Sequence, residues 1–190
     1  GGGFDMTLGS RSSKASYRDI WIDRANSLVA IKRRRARVSV WSIVRGYLAD
    51  GMAKILRQEG LNNFLINVGG KLRAGGQDLK GSWMVGVQDP LSRPGESVCR
   101  LPLRGQGLAS TSFRTYRIDM GSKVSSPLYA SISIVAPDAA TADALAHAGM
   151  MLGERARSVM QSVVGVAAVF VDGQGRVEKI GRIAAACFSR

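Results

Sequence analysis

Two short segments carry residues whose types and spacing could do chemistry. Asn67-Val68-Gly69-Gly70 closes the apolar run Phe64-Leu65-Ile66-Asn67-Val68. Adjacent glycines at a strand end let the backbone come close to a ligand and turn N–H groups toward an anion, and Asn67 adds an amide. A short glycine-rich hairpin connection uses the same letters with no ligand at all. The segment lacks the Gly-Lys-Ser/Thr ending of a P-loop, and no G-x-G-x-x-G opens a helix here. The second segment is Ala142-Asp143-Ala144-Leu145-Ala146-His147, in which Asp143 and the chain's single histidine stand four apart. That spacing puts both on one helix face, either as ligands of a divalent ion or as a plain hydrogen-bonded pair.

Such groups need a scaffold. Tyr17 to Asp23 and Leu28 to Lys32 alternate in polarity around Arg24-Ala25-Asn26-Ser27, which predicts a hairpin. From Ser42 to Glu59 the period becomes helical, with Val44, Tyr47, Leu48, Met52, Ile55 and Leu56 on one broad face and Gly60 as the stop. Strands are expected at Phe64–Val68, Trp83–Gln88, Val98–Leu103, Thr115–Asp119, Tyr129–Ala136 and Val166–Val171. A last strand follows the turn Asp172-Gly173-Gln174-Gly175. Helices are expected at Ala139–Leu152, with Asp138 or Thr141 as N-cap and Gly153 as stop, and at Glu154–Ser162. Gly69 to Gly81 reads as the loosest segment. Hairpins with separated helices predict an α+β fold, mainly antiparallel sheet with packed helices.

At 190 residues and 45% hydrophobic content the chain can bury a core as one domain or as two small lobes. Its formal charge of +13 favours anionic partners. The densest basic run, Lys32 to Arg37, is expected between two apolar strands, as a solvated turn or as a site for an anion. No zinc-finger spacing, RNA-binding aromatic signature or helix-turn-helix accompanies it, so a nucleic-acid reading rests on charge alone. The apolar stretches Gly165–Val171 and Ile183–Cys187 are too short to span a bilayer, and no transmembrane segment is expected. Cys99 and Cys187 have no metal-site spacing and are expected as two buried thiols, with a single disulfide the alternative. No signal peptide opens the chain. Gly1-Gly2-Gly3 running into Phe4-Asp5-Met6-Thr7 reads as a start in the middle of a domain.

In this order the motifs resemble the ApbE family of FAD:protein FMN transferases, which attach FMN through a phosphoester to a threonine or serine of a client protein. Phe4-Asp5-Met6-Thr7 resembles the family's Phe-Asp-x-Thr. Ser39 to Tyr47 is similar to Asp-Leu-Gly-Gly/Ala-Ile-Ala-Lys-Gly-Tyr, Val85 to Pro90 to Val-Gly-Ile-Gln-Asp-Pro, and Leu108 to Ser112 to the Ala-Thr-Ser-Gly strand. The resemblance implies a single ApbE-like domain over 1–190, the C-terminal two-thirds of the family's full domain. It implies FAD contacts at Gly3, Phe4, Asp5, Ser39, Arg45, Asn67, Gly69 and Gly70. It further implies magnesium held by Asp143, by the residue at His147 and by the Ser42 carbonyl, with Asp143 as the catalytic group.

The departures are specific. Lys71 stands where an acidic or amide residue follows the glycines, Ser39 replaces an aspartate, and Arg45 replaces a lysine. His147 replaces a threonine, and an imidazole suits zinc or nickel better than magnesium. The family's histidine-containing loop has no counterpart between Asp119 and Tyr129. The expected function is magnesium-dependent transfer of FMN from FAD to a client flavoprotein. The alternatives are a degenerate ApbE-like flavin-binding or scaffold protein and, behind it, a basic nucleic-acid-binding domain. The resemblance also implies a periplasmic or membrane-anchored lipoprotein.

Overall fold

The computed structural model describes residues 5–7, 15–34, 36–114 and 128–187, which fall into two compact units, 1–41 and 42–190. In the first unit, strands β1 (Ile20–Asp23) and β2 (Leu28–Ile31) form the expected hairpin, entered through a 3₁₀ turn at Tyr17–Asp19. Ser16 and Asp19 cap that turn reciprocally. The basic run does not lie between strands as expected. It follows β2, and Arg33 reaches back to Asp19 at 3.0 Å.

The second unit is built on a six-stranded antiparallel sheet. In order across the sheet its strands are β10 (Val177–Ile180), β9 (Ala167–Asp172), β8 (Tyr129–Ala136), β7 (Gly107–Ser112), β4 (Lys71–Gly75) and β3 (Phe64–Val68). A three-stranded sheet comprises β11 (Ala186–Cys187), β6 (Ser97–Leu103) and β5 (Trp83–Gln88). The period of two along each strand sorts the core into layers. Ile132, Ile134, Ala168 and Phe170 pack against α2 (Ala139–Leu152) and α3 (Ala156–Ser162). Their neighbours Val135, Val169 and Val171 face Val87, Leu101 and Leu103 of the smaller sheet. Helix, sheet and sheet therefore stack in three layers, and the fold is α+β as predicted.

Helix α1 (Trp41–Gln58) differs from its predicted orientation. Its buried residues are Ser42, Gly46, Ala49 and Ala53, while Tyr47, Leu48, Met52 and Ile55 are exposed. The reason is close approach. A Cβ on Gly46 would lie 2.3 Å from the Ala139 carbonyl oxygen at the start of α2, so only a small-residue face fits there. Asp50 of α1 fixes the contact by accepting from the N–H groups of Ala139 and Ala140 at 3.0 and 2.8 Å, satisfying first-turn donors of α2. Asp138 caps the same helix through the Thr141 N–H at 2.7 Å.

Three further expectations are corrected. The segment after the glycines is the regular strand β4, paired on both sides. Cys99 and Cys187 face each other across the β6–β11 pair and form a disulfide rather than two thiols. The helix expected from Glu154 is a 3₁₀ turn at Gly153–Arg155 followed by α3. The strand expected at Thr115–Asp119 lies outside the described residues.

Candidate functional site

Val68 pairs with Lys71, and Gly69 and Gly70 between them have φ of 56° and 82°. Two consecutive left-handed residues make the two-residue turn that matches strand twist, which explains both glycines. The Asn67 side chain accepts from the Gly70 N–H at 2.8 Å, so its amide oxygen holds the turn closed. Glycine at 69 also makes room for a neighbour: a Cβ there would meet the Arg45 side chain at 3.3 Å. The turn and Arg45 border a cleft of about 870 Å³, whose wall includes Gly86, Gln88 and Asp89 from the Val85–Pro90 motif. Asp89 is buried and shapes that wall, accepting from the Leu91 N–H and the Ser92 hydroxyl, each at 2.9 Å. Phe113 and Arg114, just beyond the end of β7, also line the cleft, and neither is expected as a site residue from the sequence.

Lys71 sits at the cleft wall with its side chain turned inward. The pleat puts Lys71 and Arg73 on the helix side of β4, while Leu72 and Ala74 enter the core between the sheets. Each basic residue meets an acid on a different helix. Arg73 Nε lies 3.1 Å from Asp50 of α1, and Lys71 Nζ lies 2.9 Å from Asp143 Oδ1 of α2. The ammonium also donates to the Ser110 carbonyl at 2.7 Å. Both side chains of the Lys71–Asp143 pair are essentially inaccessible to solvent, at 2% and 0% exposure.

The other Asp143 oxygen, Oδ2, accepts from the Gly46 N–H at 3.2 Å. His147 Nδ1 lies 2.9 Å from the Asp143 carbonyl and 3.3 Å from Oδ1. A carbonyl only accepts, so Nδ1 carries a proton and offers no lone pair. Burial alone would push the Asp143 carboxyl up, but the His147 hydrogen bond and the Lys71 charge outweigh it and hold it below the ordinary 3.8. Both carboxylate oxygens thus face donors. Magnesium asks for oxygen ligands in near-octahedral array at about 2.1 Å, and a donor set headed by an ammonium does not fit it.

The structure brings Arg45, Asn67, Gly69 and Gly70 together at one cleft, and places Asp143 and His147 behind Lys71 on the buried face of α2. Ser42 is buried in the first turn of α1, one turn before Gly46. Asp5 and Ser39 belong to the first unit. The Asp5 carboxylate accepts from the Thr7 N–H and hydroxyl and from the Tyr17 N–H, at 2.7 to 2.9 Å. Ser39 is exposed, and its N–H donates to the Met6 carbonyl at 2.7 Å. Gly3 and Phe4 lie outside the described residues. Sequence reasoning misses the Lys71–Asp143 bond. Its signal is the two-residue spacing of Lys71 and Arg73 in a segment that otherwise reads as loop.

Comparison with known proteins agrees with this architecture. The ApbE family model matches residues 5–170. The chain is 29% identical over 138 residues to the FAD:protein FMN transferase of Escherichia coli K12, covering 65% of this chain and 39% of that one. It is 28% identical over 131 residues to the enzyme of the same name from Haemophilus influenzae, covering 62% and 38%. The chain therefore spans about two-fifths of the length of these relatives. Among solved structures it resembles the ApbE protein of Thermotoga maritima, with a TM-score of 0.74 at 23% identity over 86% of this chain and 57% of that one. It also resembles the flavin transferase ApbE of Vibrio cholerae, with a TM-score of 0.75 at 18% identity over 94% and 68%. With a family match over most of its length and the family's fold, this chain belongs to the ApbE family.

Proposed function

We propose that this chain is the flavin-handling part of an FAD:protein FMN transferase. The cleft beside the glycine turn would hold the flavin nucleotide, with Arg45 toward its phosphates and residues 1–190 acting as one ApbE-like domain. In the reaction, a Thr or Ser hydroxyl of a client flavoprotein attacks the FMN phosphorus of FAD. The pyrophosphate bond breaks, AMP leaves, and the hydroxyl proton passes to solvent or base. The observation that carries this reading is the convergence of Arg45, the Asn67–Gly70 turn and the Val85–Pro90 wall on one cleft in a chain of this family. Fluorescence titration of FAD tests it. Quenching that saturates, and that weakens on Arg45→Glu, is expected. Fluorescence unchanged by the protein would overturn it.

A second reading, a flavin-binding relative without transfer activity, is favoured by the ammonium on Asp143. Phosphoryl transfer depends on charge placed at the phosphorus, and a carboxylate already paired inside the fold contributes none. AMP release and covalent flavin on a client would decide for transfer. FAD binding without either would decide for the second reading.

A further inference from the structure

We propose that Lys71 is the resident cation of the Asp143 pocket, standing where the family resemblance implies a divalent metal, so that the pocket takes no such ion and any flavin nucleotide is held without one. The proposal rests on the family reading for what the pocket would otherwise hold, and on three geometric facts. Lys71 Nζ lies 2.9 Å from Asp143 Oδ1 and 2.7 Å from the Ser110 carbonyl, so the ammonium is coordinated by oxygens as a bound cation would be. The second carboxylate oxygen is held by the Gly46 N–H, and His147 Nδ1, which donates to the Asp143 backbone carbonyl at 2.9 Å, also lies 3.3 Å from Oδ1. Lys71 and Asp143 are both buried, and the ammonium fills the space beside Oδ1, so an ion on that oxygen would have to displace it.

The replacement is local to one strand position. Lys71 directly follows the glycine turn, and its register opposite Ala109 of β7 aims the side chain across the sheet at α2. A four-carbon stem spans that gap, whereas a carboxylate at the same position would add negative charge to Asp143 and invite a divalent ion. Lys71 then supplies, from one strand position, the positive charge that a metal-requiring pocket takes from its ion.

The test uses Mn²⁺ as the probe, followed by loss of its free EPR signal and by melting temperature, on the whole chain. Wild type is expected to bind no Mn²⁺ at this site and to show no Mn²⁺-dependent melting shift. Lys71→Gln is expected to gain one Mn²⁺ equivalent and a rise of roughly 5–10 °C at a hundredfold excess over Kd, both lost in Lys71→Gln/Asp143→Asn. Stoichiometric Mn²⁺ binding by wild type that Asp143→Asn abolishes would overturn the proposal, and so would a folded Lys71→Gln that gains no site. Should Lys71→Gln fail to fold, reductive methylation of wild type decides. Lys71 resisting modification equally with and without Mn²⁺ supports the proposal, and Mn²⁺-induced labelling of Lys71 refutes it. Titrating FAD into the same wild-type samples keeps the two ideas apart, because an absence of FAD binding rejects the flavin reading while the Mn²⁺ result still judges the lysine.

Discussion

Asp143 is a buried carboxylate whose charge survives because three donors surround it, and the lysine is the one that cannot be spared. A divalent ion on the same oxygen would stand about 4 Å from the ammonium, a repulsion of roughly 8 kcal/mol at an effective dielectric of about 20. Breaking the pair from either side leaves an uncompensated buried charge. Lys71→Met and Asp143→Leu should therefore each lower stability by about 3–5 kcal/mol, while the double variant returns close to wild type. Urea unfolding of the four proteins measures this, and single effects that simply add would show that the pair is not coupled. The depressed Asp143 carboxyl also fixes a sign with pH. Its contribution is fully present above the unfolded-state value near 4 and is lost as pH falls through the lower folded value. Asp143→Asn should accordingly flatten the fall of melting temperature below about pH 4, and parallel acid limbs would refute the assignment. Both Asp143 and His147 are legible in the sequence as a pair on one helix face. Their third partner is not, because it comes from a strand separated from them by about half the length of the second unit.

Between elements, the decisive contacts are made by backbone rather than by large side chains. The expected apolar face of α1 is a sound reading of periodicity, yet Gly46, Ala49 and Ala53 are what the helix buries. A helix seated against another helix's first turn gains more from close approach than from long side chains, and single-sequence periodicity has no term for that approach. The strands Phe64–Val68, Trp83–Gln88 and Tyr129–Ala136 and the helix Ala139–Leu152 are legible to the residue, since each combines a clean period with a capping or turn signal at its end. Three glycines test the packing account against one another. Gly46→Ala forces a Cβ onto the Ala139 carbonyl and should cost about 1–3 kcal/mol. Gly70→Ala holds an L-residue at φ 82° in the hairpin turn and should cost about 1 kcal/mol. Gly51, on the same helix as Gly46 with nothing within 4 Å of an added methyl, should instead gain up to about 1 kcal/mol on substitution by alanine. Melting temperatures in that order support the close-approach account. An equal response at Gly46 and Gly51 would sink it.

At the scale of the molecule, a net charge of +13 attracts anions without choosing among them, and the chain's ion pairs do the choosing locally. Arg73 with Asp50, and Lys71 with Asp143, spend two of those positive charges inside the second unit, tying the large sheet to its two longer helices. The opposite layer is tied differently. No helix among the described residues is long and apolar enough to cross a membrane. The small sheet is held to the large one by apolar side chains, and its edge strand β11 is only two residues long. The Cys99–Cys187 disulfide anchors that strand, closing a loop with a sequence separation of 88. Cysteine count alone leaves the bond open, because nothing in the sequence marks Ala186-Cys187 as a strand beside Ser97–Leu103. By the chain-entropy relation a loop of that size contributes about 4–5 kcal/mol by restricting the unfolded chain, less where the reduced form keeps structure. Reduction should therefore lower the midpoint of urea unfolding markedly while leaving FAD binding in place, since neither cysteine lines the cleft. Cys187→Ser should reproduce the reduced protein and be insensitive to reductant. A midpoint that reductant does not move would show that β11 is held by its pairing with β6, and a parallel loss of FAD binding would show that the small sheet sets the shape of the cleft.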